Sequence, residues 1–120
     1  MLQFSGLMAI LYSLMDWESF TQCKPEIYFE NNLFIIFKLM GLQVHSEFKT
    51  SWGRIDLLVT TEQYVYVMEL KLDGTPEEAL RQIEEKEYSL PFESDGRHIF
   101  RIGISFSKKT RNIDSWIIRQ

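Results

Sequence analysis

In GRIDLLVTTEQYVYVMELKLDG, residues 53–74, three charged side chains sit inside otherwise apolar runs: Asp56, Glu69 and Lys71. Residues 53–60 and 64–72 are rich in Ile, Leu, Val and Tyr, which reads as a hairpin of two strands. With Glu62 and Gln63 as its loop, Asp56 falls directly opposite Glu69, their Cβ atoms about 5 Å apart. Lys71 shares that face because strand side chains alternate with period 2. Two carboxylates this close raise each other's pKa unless a cation lies between them. Lys71 supplies part of that charge, and a divalent metal would supply more. Hard oxygen ligands suit Mg²⁺ or Mn²⁺. The competing account is a partly buried Asp–Lys–Glu ion-pair triad, which is costly to desolvate.

The elements that must position these groups follow from periodicity. Pro25 to Met40 reads as a helix with Phe29, Leu33, Ile36, Phe37 and Met40 on its apolar stripe and Gly41 at its C-terminal cap. Glu26 extends that stripe toward the N-terminus, although a first-turn Glu answering the helix dipole explains it as well. LQVHSEFKTS alternates enough to be a strand. Both faces of the following hairpin are apolar, as in central strands covered on both sides. In DGTPEEALRQIEEKEY, Thr75 is a good N-cap, Pro76 fits the first helical position, and Thr75 with Glu78 makes a capping box. Ala79, Ile83 and Leu90 are expected to face inward, with Gln82 at the edge of that face. HIFRIGISFS is a further strand, and IDSWIIRQ closes the chain as either a strand or a helix. The order implies an α/β fold, a mixed central sheet flanked by helices.

Bulk properties narrow the function classes. The 120 residues make one domain, expected to span 1–120, with an ordinary soluble composition. A net charge of −4 argues against nucleic-acid binding by bulk electrostatics but leaves local basic clusters such as Lys108, Lys109 and Arg111. One cysteine, Cys23, excludes an internal disulfide and suits a reducing cytoplasm. The start, MLQFSGLMAILYSLM, lacks the basic region of a signal peptide and falls short of the ~20 apolar residues that span a bilayer. Residues 1–20 therefore read as an amphipathic helix packed on the domain or on a second subunit. No membrane role is expected, and the helix suggests self-association into a homo-oligomer without fixing it. His45 and His98 read as surface or packing residues. Trp52 is either a packing residue or a base-stacking one. Ser105 and Ser107 have no His/Asp partner for nucleophilic work.

Taken together, Gly53-Arg54-Ile55-Asp56, Glu69-Leu70-Lys71 and Gln82 in the following helix resemble the PD-(D/E)XK nuclease superfamily. GRIDLLV…YVYVMELKLDGTPEEALRQIEEKEY…IGISFSKKTRNIDSW is similar to a branch of uncharacterised bacterial proteins in which this domain commonly follows an AAA-type ATPase domain. The resemblance covers about residues 25–116 and implies a restriction-endonuclease-like core. It makes Asp56 and Glu69 the metal-binding carboxylates, with the Leu70 carbonyl as a third ligand. It gives Lys71 the placing of the attacking water and Gln82 the orienting of substrate or water. Glu26 matches the acidic residue of the first core helix, which reaches the metal directly or through water. Arg54 is expected to be structural or phosphate-contacting. Relatives often have Gly where Glu87 stands, a change expected to alter only the helix end. The implied function is Mg²⁺- or Mn²⁺-dependent hydrolysis of phosphodiester bonds in DNA. The alternative is an inactive module of the same fold that binds nucleic acid or protein.

Overall fold

A computed structural model describes residues 25–110 and 112–120, with side chains from Ile27 onward. The apolar segment 1–20, Cys23 and Arg111 lie outside the described residues. The elements are α1 (Pro25–Leu39), β1 (Gln43–Thr50), β2 (Gly53–Thr60), β3 (Tyr64–Leu72), α2 (Pro76–Glu85), β4 (His98–Ser107) and β5 (Asn112–Arg119), with a 3₁₀ turn at Leu90–Phe92. IDSWIIRQ is thus a strand. The five strands form a mixed sheet in the order β1-β2-β3-β4-β5, an α/β fold with flanking helices. β3 and β4 run parallel, joined by α2 as the crossover, and every other neighbouring pair is antiparallel.

One face of the sheet packs on α1, where Phe29, Leu33 and Phe37 meet Leu57, Val59, Tyr66, Met68 and Phe106. The other face packs on α2, where Leu80 and Ile83 meet Ile55, Leu58, Val65 and Val67. Burial on both sides explains why β2 and β3 read as continuous apolar runs. Gly103 lets α2 sit close: a Cβ there would collide with the Pro76 carbonyl. Gly103 is the β4 partner of Glu69, so this approach brings the helix directly over the charged end of β3.

Both helices end in the same way. After α1, Leu42 N–H donates to the Phe37 carbonyl at 3.2 Å and Gly41 N–H to Lys38 at 3.0 Å. After α2, Tyr88 N–H donates to Ile83 at 3.1 Å and Glu87 N–H to Glu84 at 3.2 Å. Each is a Schellman closure, whose first residue past the cap is left-handed. Gly41 has φ 80° and Glu87 φ 50°, so Glu87 stands where the backbone demands the left-handed conformation that Gly adopts most readily. The α2 N-terminus is capped as expected, Thr75 Oγ1 accepting from Glu78 N–H at 3.1 Å. Leu90 is a correction. The closure at Glu87 stops the helix, and Leu90 is left 51% exposed in the 3₁₀ turn while Tyr88 and Phe92 enter the core. Met40 likewise lies past the end of α1 and is largely exposed.

Candidate active site

The β2–β3 hairpin keeps its expected register from Thr60↔Val65 to Leu57↔Met68, and then its ladder stops. Beyond that point side chains replace the backbone partners. Glu69 Oε1 accepts from the Asp56 N–H at 3.0 Å, and Asp56 Oδ2 accepts from the Leu70 N–H at 2.8 Å. Each carboxylate satisfies the amide that the other strand has abandoned, so the two strands splay without orphaning a buried donor.

β1 takes part in the opening. Glu47, between Ser46↔Leu57 and Phe48↔Ile55 in the β1–β2 ladder, has φ 51°. Side-chain alternation slips in both strands there. Leu57 and Val59 face α1, whereas Ile55 joins Leu58 on the α2 side and Phe48 packs with them. Asp56 sits at the slip.

The splay opens a cleft of about 340 Å³ between the two helices, lined by Ile27 and Glu30 of α1, Glu47, Arg54, Asp56, Glu69, Lys71 and Gln82 among others. Lys71 donates through Nζ to Gln82 Oε1, which fixes the ammonium against α2. Among the described residues its side chain forms no ion pair with Asp56 or Glu69, so the buried ion-pair triad is not formed. The structure therefore gathers Asp56, Glu69, Lys71 and Gln82 at one cleft. The Glu26 side chain lies outside the described residues.

Two further carboxylates complete the cleft. Glu30 stands one helical turn after Glu26, beside the stripe Phe29–Leu33–Phe37, and that i, i+4 spacing was its only sequence signal. Glu47 carried none, because its placement depends on a left-handed backbone that a glutamate does not advertise. Arg54 reaches the cleft mouth and pairs with Glu47 at 3.5 Å.

The electrostatics show surplus negative charge. Burial, and then the neighbouring Asp56 carboxylate, push Glu69 up to about 8. Burial also raises Asp56, against the lowering effect of the Leu70 N–H and, further down, of Lys71. Glu30 is pushed up to about 7 by burial and by the charges of Asp56 and Glu47. Lys71 and Arg54 do not neutralise this set.

Among the described residues, no three His, Cys, Asp or Glu side chains stand together at coordination spacing. The donor chemistry nevertheless fits a hard cation that keeps much of its water, as Mg²⁺ does when held by one or two carboxylates. Asp56 and Glu69 each engage an amide through one oxygen, and their raised pKa values mark charge that a cation would relieve.

A family model describing the PD-(D/E)XK nuclease superfamily matches residues 24–116. The chain belongs to the PD-(D/E)XK nuclease superfamily. The match takes in every described element up to most of β5, with Asp56 and Glu69-Leu70-Lys71 well inside it. The "Uncharacterized protein in vnfD 5'region" of Azotobacter chroococcum mcd 1 is 33% identical over 95 residues, 78% of this chain. The chain spans only 18% of that protein's length. Superfamily membership points to nucleic acid and to a divalent metal. Among the described residues no helix is long and apolar enough to cross a membrane.

Proposed function

We propose that this domain is a divalent-metal-dependent nuclease that hydrolyses phosphodiester bonds in DNA at the cleft around Asp56, Glu69 and Lys71. The observation that carries the reading is the end of the β2–β3 ladder. Asp56 and Glu69 are each held by a backbone N–H at 2.8–3.0 Å while Lys71 is fixed beside them by Gln82. An apolar pair at those positions would continue the sheet at lower desolvation cost.

Asp56 and Glu69 would hold Mg²⁺ or Mn²⁺ with the Leu70 carbonyl. Glu30 would act through water from α1, and Glu26 stays in the set on the family resemblance. The chemistry that such an ion supplies when bound is a lowered pKa for water and relief of charge on the phosphoryl and leaving oxygens. Lys71 places its ammonium where charge builds on the phosphate in the transition state. Gln82 holds that ammonium through Oε1 and presents its amide N–H groups to substrate or water. The carboxylates whose pKa values are raised without a cation take up protons, so the loaded site is also the one in which they stay ionised.

The Azotobacter relative's greater length fits a domain joined to others, as in the bacterial branch that couples it to an AAA-type ATPase. Self-association through residues 1–20 belongs to the same proposal and is read by light scattering of the full chain. The test of activity is incubation with circular, linear and single-stranded DNA, with Mg²⁺, Mn²⁺ or chelator. Metal-dependent cleavage abolished by Lys71→Ala and Glu69→Gln supports the site. Cleavage that survives both substitutions sinks it. Binding without cleavage under every metal would make the domain an inactive binding module.

A further inference from the structure

We infer that the tip of the β1–β2 hairpin, residues 48–54, is an arm that grips an unpaired nucleotide strand beside the cleft, with Trp52 stacking on a base and Lys49 and Arg54 on phosphates. The inference rests on the nuclease reading and names the form of substrate it takes.

The arm is a consequence of the splay. β1 and β2 remain paired out to Thr50↔Gly53, but β2 and β3 are paired only over Leu57–Thr60. Among the described residues, 53–55 thus have β1 as their sole strand neighbour and leave the sheet as a two-stranded ribbon. Its inner side is anchored: Ile55 is fully buried, the Phe48 ring lies 6.0 Å from Phe92, and a Cβ at Gly53 would meet the Tyr88 hydroxyl at 2.7 Å. An isolated ribbon is marginal in water, and this anchoring is what makes the arm a fixed feature.

The outer side is built against its own stability. Lys49 and Arg54 are direct cross-strand partners, both exposed. Like charges in that position are destabilising. The Glu47–Arg54 pair offsets little of this, since both of its side chains are more than half exposed. Between the two cations the turn presents Trp52, 61% exposed. Cations flanking an exposed indole are the composition of a surface that follows a phosphate backbone and stacks on its bases. In a chain of net charge −4, that local arrangement rather than bulk charge has to attract a polyanion. Arg54 also lines the cleft with Asp56, so a strand on the arm continues into the site. Trp52 can take only a base with a free face, and a base inside a duplex has none. The arm therefore selects single strands, frayed ends or flaps.

The test is fluorescence anisotropy of labelled single-stranded DNA, single-stranded RNA and duplex DNA. The full chain is used, with Ca²⁺ in place of the catalytic metal, over a series of salt concentrations. Single strands should bind more tightly than duplex. Trp52→Ala should weaken single-strand binding roughly tenfold while Trp52→Phe retains most of it. Lys49→Ala and Arg54→Ala should each flatten the salt dependence by about 0.7 in log–log slope. Hydrolysis of bis(p-nitrophenyl) phosphate, too small to reach the arm, should be unchanged in Trp52→Ala and Lys49→Ala. The DNA and RNA arms show which sugar is taken. Strand binding unaltered by Trp52→Ala, or a preference for duplex, overturns the arm and leaves the nuclease reading standing. A wild-type chain that neither binds nor cuts nucleic acid removes both.

Discussion

The two ends of the β2–β3 hairpin have opposite chemistry. At the loop end Leu58, Val59, Val65, Tyr66 and Val67 continue an unbroken ladder, all buried and apolar. At the other end Asp56 and Glu69 take over the hydrogen bonds of the ladder, and Glu69 is only 2% exposed. The loop end is arranged for stability and the splayed end against it. Buried charge survives here because each carboxylate has a backbone donor, while the net charge stays uncompensated by Lys71 or Arg54.

Substitutions at the two ends should separate stability from chemistry. Glu69→Gln keeps an acceptor for the Asp56 N–H and removes the charge. Nuclease activity should fall roughly 100-fold or more, and calorimetric binding of Mn²⁺ should weaken, while metal-free stability at pH 8 does not drop. Leu58→Ala does the reverse. It should cost about 2–5 kcal/mol in urea unfolding, with turnover by the remaining folded protein unchanged. If Glu69→Gln destabilises as strongly as Leu58→Ala, the carboxylate is a structural member of the hairpin and the contrast fails.

The pH dependence sharpens the same contrast. Glu69 and Glu30 are pushed up to about 8 and about 7 from an ordinary value of 4.5. Between 4.5 and 8 the folded chain binds more protons than the unfolded one, so its stability falls as pH rises through that window. In chelator, urea midpoints should therefore be lower at pH 8 than at pH 5, and Mg²⁺ or Mn²⁺ should restore the loss at pH 8. Glu30→Gln should remove the part of the slope that lies between 4.5 and about 7. A flat profile would show that these carboxylates do not carry uncompensated charge.

The smallest effect concerns the two helix ends. Glu87 adopts the left-handed conformation that Gly41 occupies at the equivalent place. Glu87→Gly should stabilise by about 0.5–1 kcal/mol, the relief of left-handed strain less the backbone entropy of glycine. Gly41→Ala should destabilise by a similar amount, both read from thermal melts.

Much of this architecture was legible because it is local. Continuous apolar runs marked β2 and β3, Thr75-Pro76 and Glu78 marked the start of α2, Gly41 marked the end of α1, and a two-residue loop set the hairpin register. That register pointed Asp56, Glu69 and Lys71 to one end of the hairpin, although the ladder stops at Leu57↔Met68, before the expected Asp56–Glu69 pair. Leu90 was misplaced because the stop at Glu87 is made by a residue that rarely adopts a left-handed backbone. Tertiary structure decided the rest, through contacts between segments far apart in the chain. The close seat of α2 on Gly103 set Gln82 against Lys71, and α1 delivered Glu30. The paired slip at Glu47 and Asp56 ended the ladder. Residue order alone set which charges lie in the hairpin. Only packing from both faces determined that the hairpin opens there, because an exposed hairpin would have hydrated those charges and stayed shut.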